Sequence, residues 1–294
     1  MNRPVMFNGR LNKNEADIWL DLLEETSNVV SIDRYLAKQF LGLSDSISFV
    51  SSVEDHIIGG TTIYRDRTRL SMVLASVAVK DTYRETAAFQ IIKSSLPFFK
   101  TVAIRDVDVL ISSQEVHSDI GFPLSLEVDP WAADAIRRAG FGDIAKIRQC
   151  SFEPSAKYDT EIKWDKNPDL ERAKELIWDQ SKPSGLTNSL VWVAKDFAAS
   201  QGALRTSSID GETVIVAGFW KVGLSLVISP IVSNPESIEW SQVAKAIVTE
   251  GVRLRVDRIH LPLIGEGQSG LIEEIEGIAN LSSSRKLSLL RKPL

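Results

Sequence analysis

A short stretch between two apolar segments carries residue types that can bind an anion. It reads VAVKDTYRETAAFQ and runs from Val77 to Gln90, with a strand-like half, a turn and a helix-like half. The first N–H groups of a helix lack helical partners and the helix dipole adds positive potential, so phosphate binds at such junctions. Arg84 stands at the predicted helix start. The stretch therefore predicts a phosphate site, although it contains no glycine to let a phosphate approach the backbone closely.

Three side chains elsewhere in the first half of the chain, or beside the turn, could move a proton. Glu115 and His117 lie in the polar segment 114–119, after a predicted strand at 107–112. A carboxylate can act as a general base, and a histidine can exchange a proton near neutral pH. Tyr83 adjoins the turn and could act as an acid. The alternative interpretation is a solvated loop for the first two and a packed ring for Tyr83.

Composition limits the classes of protein to which the chain can belong. It has 294 residues, 44% hydrophobic and 25% charged, which is typical of a globular protein and long enough for about two domains. The net charge of −5 disfavours nucleic-acid binding. Cys150 is the single cysteine, so an intramolecular disulfide is excluded, and it is predicted to face a core from a strand. With three histidines and no close His/Glu ligand spacing, no metal site is expected.

The N-terminal sequence lacks the apolar stretch of a signal peptide, and no run approaches the ~18 apolar residues of a membrane helix. We therefore predict a cytoplasmic protein without membrane contact. The motif Gly265-Glu-Gly-Gln-Ser-Gly270 fits the dinucleotide-binding pattern, but it is not followed by the strand and acidic residue that such a fold needs. We interpret it as a tight turn and a helix start.

Periodicity predicts the same order of elements twice along the chain. The first half is predicted to hold helices at 15–25 and 33–40, strands at 46–51, 57–64 and 70–79, a helix at 85–98, a strand at 107–112, a helix at 129–139 and a strand at 144–152. The second half is predicted to hold a hairpin at 207–218, a strand at 224–232, a helix at 237–250, a strand at 258–263, a helix at 271–278 and a short last strand. Internal repetition of this kind indicates two copies of one α/β unit, joined near 154–167.

This order, together with two motifs, resembles the GNAT superfamily of acyl-CoA-dependent N-acyltransferases. The segment from Val79 to Arg84 resembles the family's V-x-P-x-Y-R motif before its pyrophosphate loop. The segment from Pro130 to Phe141 resembles the family's late helix, N-x-x-A-x-x-L-Y-x-x-x-G-F, with Ala132, Gly140 and Phe141 on the pattern. The resemblance implies a mixed-sheet α/β fold of two tandem GNAT-like domains, residues 1–155 and 156–294, the second being a degenerate copy.

The resemblance also implies a co-substrate and the residues that hold it. The co-substrate would be acetyl-CoA or another acyl-CoA, and its acceptor the amine of a small molecule or a protein. The implied cofactor-binding residues are Val77, Val79, Arg84, Glu85, Thr86, Ala87 and Ala88.

Several positions depart from the family pattern. Ala87 replaces the first loop glycine, Phe89 takes the last small position, and Ile136 stands where the family often has a tyrosine acid. Glu85 suits the helix dipole but repels phosphate. We expect the Phe89 ring to lie buried beneath the helix, leaving a narrow phosphate site that binds acyl-CoA weakly. The alternative is a non-catalytic binding or scaffold protein that has lost acyl-CoA chemistry.

Overall fold

The structure is a computed structural model. It describes residues 6–28, 30–66, 70–101, 104–113 and 117–294, and of residues 97–101 it describes the backbone only. The chain forms two compact units. Unit 1 consists of the residues up to Ala145 together with Leu287–Leu294, and unit 2 consists of Lys146–Lys286. The predicted division into domains at 155/156 stays a prediction.

Unit 1 contains two helices, a hairpin-rich sheet and two further helices. Its strands are β1 (Met6–Arg10), β2 (Ser46–Val53), β3 (His56–Asp66), β4 (Ser71–Val79), β5 (Asp106–Ser112) and β6 (Glu127–Val128); its helices are α1 (Ala16–Thr26), α2 (Arg34–Gly42), α3 (Arg84–Thr101) and α4 (Ala133–Arg138). Strand β7 (Gly142–Glu153) begins in this unit and continues in unit 2.

Unit 2 repeats that order. Its helices are α5 (Leu170–Gln180), α6 (Asn188–Ser200), α7 (Trp240–Arg253) and α8 (Ser269–Glu276); its strands are β8 (Leu204–Ile209), β9 (Glu212–Val222), β10 (Ser225–Ser233) and β11 (Arg258–Ile264). Strand β12 (Asn280–Pro293) starts in unit 2, and its residues from Leu287 onward belong to unit 1.

The sheet of unit 1 has the strand order β1-β2-β3-β4-β5-β12. Strands β1 to β4 pair antiparallel in sequence, β4 and β5 pair in parallel, and β12 pairs antiparallel with β5 from Leu287 to Pro293. All nine residues of β4 are buried, as expected of a strand covered on both faces. One face packs under α3 and α4 through a core of Ile63, Leu74, Val79, Ile91 and Ile136 among others.

The parallel strands β4 and β5 open beyond their first three residue pairs. Ser71–Val73 are in register with Asp106–Asp108, and farther along β6 pairs with β5 at Leu110 and Ile111. Because β12 pairs along the whole of the other edge of β5, β6 must lie on the edge that faces β4. We call the gap between the two strands beyond Val73 and Asp108 the β4–β5 opening. The two residues of β6 lie in it, next to β5.

The sheet of unit 2 has the order β7-β11-β10-β9-β8. Here too the parallel pair, β10 and β11, is in register over three residues, Ser225–Val227 with Arg258–His260. Strand β10 then bulges between Ile228 and Ile231. The buried amide of Gln268 donates to the carbonyl of Ile231 at 2.8 Å, so a side chain ties the bulged strand to the turn after β11.

The mixed α/β fold class is confirmed, and most predicted elements are present within a few residues of their predicted ends. The structure differs from the prediction at several elements, including strands β1 and β6, which were not predicted. The late helix is shorter than predicted, since Pro130–Ala132 forms a 3-10 turn before α4 begins. The last strand has 14 residues and is not short. Helices α5 and α6 were not predicted. Within the described part of the chain, no helix is both long and apolar enough to cross a membrane.

Candidate functional site

A 3-10 turn, Asp81–Tyr83, precedes the start of α3. Its hydrogen bonds occupy two backbone N–H groups next to the predicted phosphate site. The N–H of Tyr83 donates to the carbonyl of Lys80 at 2.8 Å, and the N–H of Arg84 donates to the carbonyl of Asp81. From Arg84 onward the chain is α-helical, so N–H groups beyond the first turn point to carbonyls four residues back, and only those of the first turn remain for a ligand. The predicted loop is therefore a helix start with part of its donor set already in use.

The helical geometry splits the predicted cofactor-binding residues between two sides of α3. Thr86 and Ala87 line one cavity, and Arg84, Glu85 and Ala88 line a groove on the other side. Five consecutive helical residues extend over more than one full turn, so their side chains point in all directions around the helix axis. The stretch 84–88 therefore cannot present all its residues to one ligand.

Arg84 binds the chain's own backbone. Its side chain donates to the carbonyl of Thr26 at 2.6 Å and to that of Val79 at 3.4 Å. It also pairs with Asp81 at 2.8 Å and lies 4.6 Å from the centre of the Trp131 ring. Only 17% of the side chain is exposed. Arg84 thus joins the end of α1 to the start of α3.

The groove between α3 and α4 is the more polar of the two recesses. It has a volume of about 420 Å³ and is lined by Asp81, Arg84, Glu85, Ala88, Phe89, Trp131, Asp134, Ala135 and Arg138. Two cations face two aromatic rings, Arg84 over Trp131 and Arg138 at 5.0 Å over Phe89. Three carboxylates and two guanidinium groups line it, so its formal charge is near −1, which opposes strong binding of a polyanion.

The Phe89 ring is half-buried and not buried, so the expectation that it lies buried beneath the helix holds only for the part that packs against the core. It packs partly against the unit 1 core, and its outer faces meet Arg138 and Lys93, whose ammonium lies 5.5 Å from the ring centre. The ring stands five residues into α3 and forms a wall of the groove.

The cavity on the other side of α3 is larger and more apolar. It has a volume of about 760 Å³ and is lined by Met6, Val53, Ile58, Tyr83, Thr86, Ala87, Phe89 and Gln90. Tyr83 is half-buried and lines this cavity, whereas it does not line the groove. This places one of the three predicted proton-transfer residues beside Thr86 and Ala87.

Val77 and Val79 lie in β4, buried in the core beneath α3. Only their backbone could meet a ligand that enters the β4–β5 opening. That opening is bordered by β6 and by Asp129, a buried residue whose carboxylate accepts from the hydroxyl of Ser27 at 3.0 Å and the N–H of Asn28 at 3.4 Å. The segment after α1 is thus fixed to the segment before α4.

Of the remaining acid–base candidates, His117 is not part of the groove lining. His117 is exposed, and its neighbour Ser118 is buried. Glu115 lies outside the described residues. Ile136, at the position of the family's tyrosine, is fully buried and offers no proton.

The corresponding helix start in unit 2 is closed by local hydrogen bonds. The side chain of Asn234 accepts from the N–H of Glu236 at 3.1 Å and donates to the hydroxyl of Ser237 at 2.9 Å. Its backbone carbonyl accepts from the N–H groups of Ser237 and Ile238. Glu239 precedes α7 and adds a negative charge. This segment carries no cation, so it is less suited to phosphate than the start of α3.

Two buried polar residues of unit 2 have structural partners. His260 accepts or donates at 2.6 Å to Ser151 and at 3.2 Å to Ser225. Cys150 is buried in the core, as predicted, and burial raises the pKa of its thiol, which keeps it protonated. No group of His, Cys, Asp and Glu residues suited to a metal ion occurs among the described positions.

The glycine motif at 265–270 is a turn followed by a helix start, as predicted. Glu266–Gln268 forms a 3-10 turn and α8 begins at Ser269. A Cβ on Gly265 or Gly267 would lie 2.1 or 2.0 Å from the backbone oxygens of Ser184 or Pro183. These glycines are required because the segment 183–185 packs directly against the turn.

Four residues that shape the site were not identified from the sequence as site residues. Arg138 and Trp131 form the α4 side of the groove, and Thr26 and Asp129 fix its surroundings. The late-helix motif could have pointed to Trp131 and Arg138, since both lie in it. Thr26 carries no sequence signal, because it contributes only a backbone carbonyl.

Comparison with known proteins supports the fold and adds little at the level of sequence. No family model matches the chain, and no curated protein matches it in sequence. Solved structures do match along nearly the whole chain. A GCN5-related N-acetyltransferase from Sphaerobacter thermophilus aligns with a TM-score of 0.61 at 12% identity, covering 98% of this chain and 95% of that one.

Two further structures are similar. A tandem GNAT protein from the clavulanic acid biosynthesis pathway aligns with a TM-score of 0.65 at 9% identity, covering 98% of each chain. A GCN5-related glucosamine N-acetyltransferase region in a fungal multi-domain GH3 β-N-acetylglucosaminidase aligns with a TM-score of 0.69 at 8% identity, covering 98% of this chain and 38% of that one. At these identities the likeness establishes a shared fold, that of GNAT acetyltransferases.

Proposed function

We propose that the protein is an acyl-CoA-dependent N-acyltransferase whose unit 1 holds acetyl-CoA or another acyl-CoA. The observation that carries the proposal is the β4–β5 opening, where two parallel strands separate beside the start of α3. In α/β sheets, ligands bind beyond the carboxyl ends of parallel strands at such points. The similarity in fold to acetyltransferases along the whole chain adds to it.

The nucleotide end of the co-substrate would lie in the groove between α3 and α4. There Arg138, which is half-exposed, would pair with phosphate oxygens, and the rings of Trp131 and Phe89 would offer a surface for adenine. Arg84, Glu85 and Ala88 are the predicted cofactor-binding residues that face this groove. Because the groove is acidic overall, we expect affinity no better than the high micromolar range.

The acyl transfer itself needs a neutral amine, since only its free lone pair attacks the thioester carbonyl. The attacking nitrogen gives up a proton and the leaving CoA sulfur takes one. Tyr83, His117 and Glu115 remain the proposed donors and acceptors of these protons. The acceptor is an amine of a small molecule or a protein.

Calorimetric titration with acetyl-CoA tests the binding step. We expect saturable heat, about threefold weaker binding for Arg138→Ala and tighter binding for Asp134→Asn, because the latter removes a carboxylate from the groove. Arg137→Ala is the matched control: Arg137 neighbours Arg138, is exposed and pairs with Asp143 at 3.3 Å outside the groove lining. Absence of saturable binding at millimolar acetyl-CoA would sink the proposal.

A specific observation favours a second candidate, a non-catalytic binding or scaffold protein. Strand β6 lies in the β4–β5 opening, and Arg84 is bound to Thr26 and Trp131. An acyl chain that enters the opening would have to pass beside β6.

Release of free CoA thiol in the presence of a panel of amines separates the two candidates. Acetyl-CoA binding with amine-dependent thiol release supports the acyltransferase. Binding without release for any amine supports the scaffold.

A further inference from the structure

A third recess, in unit 2, has a chemistry unlike that of the groove. It is a pocket of about 210 Å³ lined by Trp164, Lys166, Arg205, Phe219, Glu250 and Arg253. Three of the six side chains are cations and one is a carboxylate, so the formal charge of the lining is near +2 in a protein of net charge −5.

A backbone bridge holds two of the cations side by side. Asp165 and Thr206 exchange hydrogen bonds, N–H of Asp165 to the carbonyl of Thr206 at 2.7 Å and the reverse at 3.3 Å. In this antiparallel bridge Lys166 stands across from Arg205. Like charges directly opposite one another are unfavourable unless an anion lies between them.

Neither of these two cations is neutralised by a carboxylate in the described ranges of the chain. Lys166 is exposed, and Arg205 uses one guanidinium nitrogen to donate to the carbonyls of Gly202 at 2.8 Å and Leu204 at 2.7 Å. A guanidinium has five N–H donors, so three others remain for a ligand. The two backbone bonds fix the direction of those donors.

The other walls limit the size and kind of ligand. Trp164 and Phe219 pack edge to face with ring centres 4.7 Å apart, which makes one wall apolar and rigid. Arg253 is held by Glu250 through bonds of 2.7 and 2.5 Å, so this carboxylate is already satisfied and repels an anion less. The volume admits a compact group of few atoms.

We propose that this pocket binds a compact dianionic oxyanion, namely the phosphate of a phosphate monoester, with Lys166 and Arg205 as its charged ligands and the Trp164–Phe219 wall against the organic part. A phosphate monoester carries a charge of about −1.5 to −2 near pH 7, which matches the lining. The site is separate from the proposed acyl-CoA groove, because every lining residue belongs to unit 2.

Calorimetry on the full chain with inorganic phosphate as the probe tests the assignment, with sulfate and succinate as parallel arms. We expect saturable phosphate binding that is about tenfold weaker in Lys166→Ala. Lys163→Ala is the matched control, because it removes the same charge from an exposed residue of the same segment that does not line the pocket. Glu250→Gln is expected to tighten binding several-fold, since it removes the one carboxylate of the lining and releases Arg253.

The outcomes are distinct. Phosphate binding that weakens in Lys166→Ala and not in Lys163→Ala supports the site. Equal effects of the two variants, stronger binding of succinate or sulfate than of phosphate, or no saturable heat with phosphate would each overturn it. Thermal unfolding of each variant shows that the comparison is made on folded protein. The result does not depend on whether acetyl-CoA binds.

Discussion

The starts of α3 and α7 occupy corresponding places in the two units, but different hydrogen bonds hold them in place. At α3, Arg84 reaches the carbonyl of a residue 58 positions earlier and covers the Trp131 ring. At α7, the side chain and the carbonyl of Asn234 bond to residues two to four positions ahead of it, and only its backbone N–H reaches farther, to the carbonyl of Val214 at 3.0 Å. The same backbone order therefore leaves a groove with one exposed cation, Arg138, in unit 1, whereas the corresponding turn of unit 2 carries no cation. Fold similarity alone does not predict which helix start can bind a ligand.

A second pair of corresponding positions differs in charge. The register partners Val73 and Asp108 in unit 1 match Val227 and His260 in unit 2. Both polar residues are buried. Asp108 pairs with Arg291 through bonds of 2.7 and 2.9 Å, while His260 bonds to two serine hydroxyls. Unit 1 thus depends on an ion pair at a site where unit 2 uses uncharged hydroxyl partners.

The largest expected effect comes from breaking that ion pair. Asp108→Asn should lower the free energy of unfolding by about 3 kcal/mol, because it removes the carboxylate that accepts two bonds from the partly buried guanidinium of Arg291 and leaves it only the more distant Asp106, at 3.8 Å. Urea unfolding measures the loss. Asp134→Asn is the control, since the Asp134–Arg138 pair is exposed and 3.6 Å long and should contribute less than about 0.5 kcal/mol. Equal losses in both variants would contradict the comparison of the units.

Removing the long-range tie at α3 should cost somewhat less. Arg84→Ala deletes a charged hydrogen bond to the Thr26 carbonyl and the contact with Trp131, together about 2 kcal/mol. Arg84→Lys keeps the charge, but a lysine lacks the planar guanidinium that donates to two carbonyls at once. About half of the loss in unfolding free energy should therefore remain. Urea unfolding of the two variants measures these losses, and Arg137→Ala serves as the control. A loss below about 0.5 kcal/mol for Arg84→Ala would show that the tie does not stabilise unit 1.

The local closure at α7 should have a smaller effect. Asn234→Ala removes the side-chain bonds to Glu236 and Ser237, and such turn and capping bonds contribute about 1 kcal/mol. Asn234→Asp keeps the acceptor oxygen and should retain most of the stability. Thermal unfolding distinguishes the two substitutions. If both lower the melting temperature equally, the acceptor bond is not the stabilising one.

The smallest effect concerns Asp106, beside the Asp108 ion pair. Burial raises the pKa of Asp106, with Arg291 opposing the rise, so the folded state holds this proton more tightly than the unfolded chain. Its charged form therefore costs stability once the pH exceeds the unfolded value of 3.8. Asp106→Asn should add about 0.5 kcal/mol at pH 7, and the gain should shrink as the pH falls toward 4. Urea unfolding at pH 7 and pH 4 measures this gain, and a gain that grows at low pH would contradict it.

These contrasts also explain what the sequence could predict. Periodicity located the hairpins, the buried parallel strands and α3, because each depends on neighbours within a few residues. Helix α5 was readable as well, from the cap Asp169 and the helical spacing of Ala173, Leu176 and Ile177, and it was missed. The family resemblance indicated the correct fold. By contrast, the bond of Arg84 to Thr26 and that of Arg291 to Asp108, 183 positions apart, depend on tertiary arrangement that no local pattern encodes.

The placement of Leu287–Leu294 in unit 1 has a consequence for synthesis on the ribosome. Strand β5 receives its antiparallel neighbour only from β12, which is translated after all of unit 2. At 5–20 residues per second, the nascent N-terminal unit must wait on the order of ten seconds with one edge of β5 unpaired. Exposed strand edges attract other chains, so during this interval the nascent protein is open to chaperones or to aggregation. A fragment of residues 1–155 would remain in that state permanently.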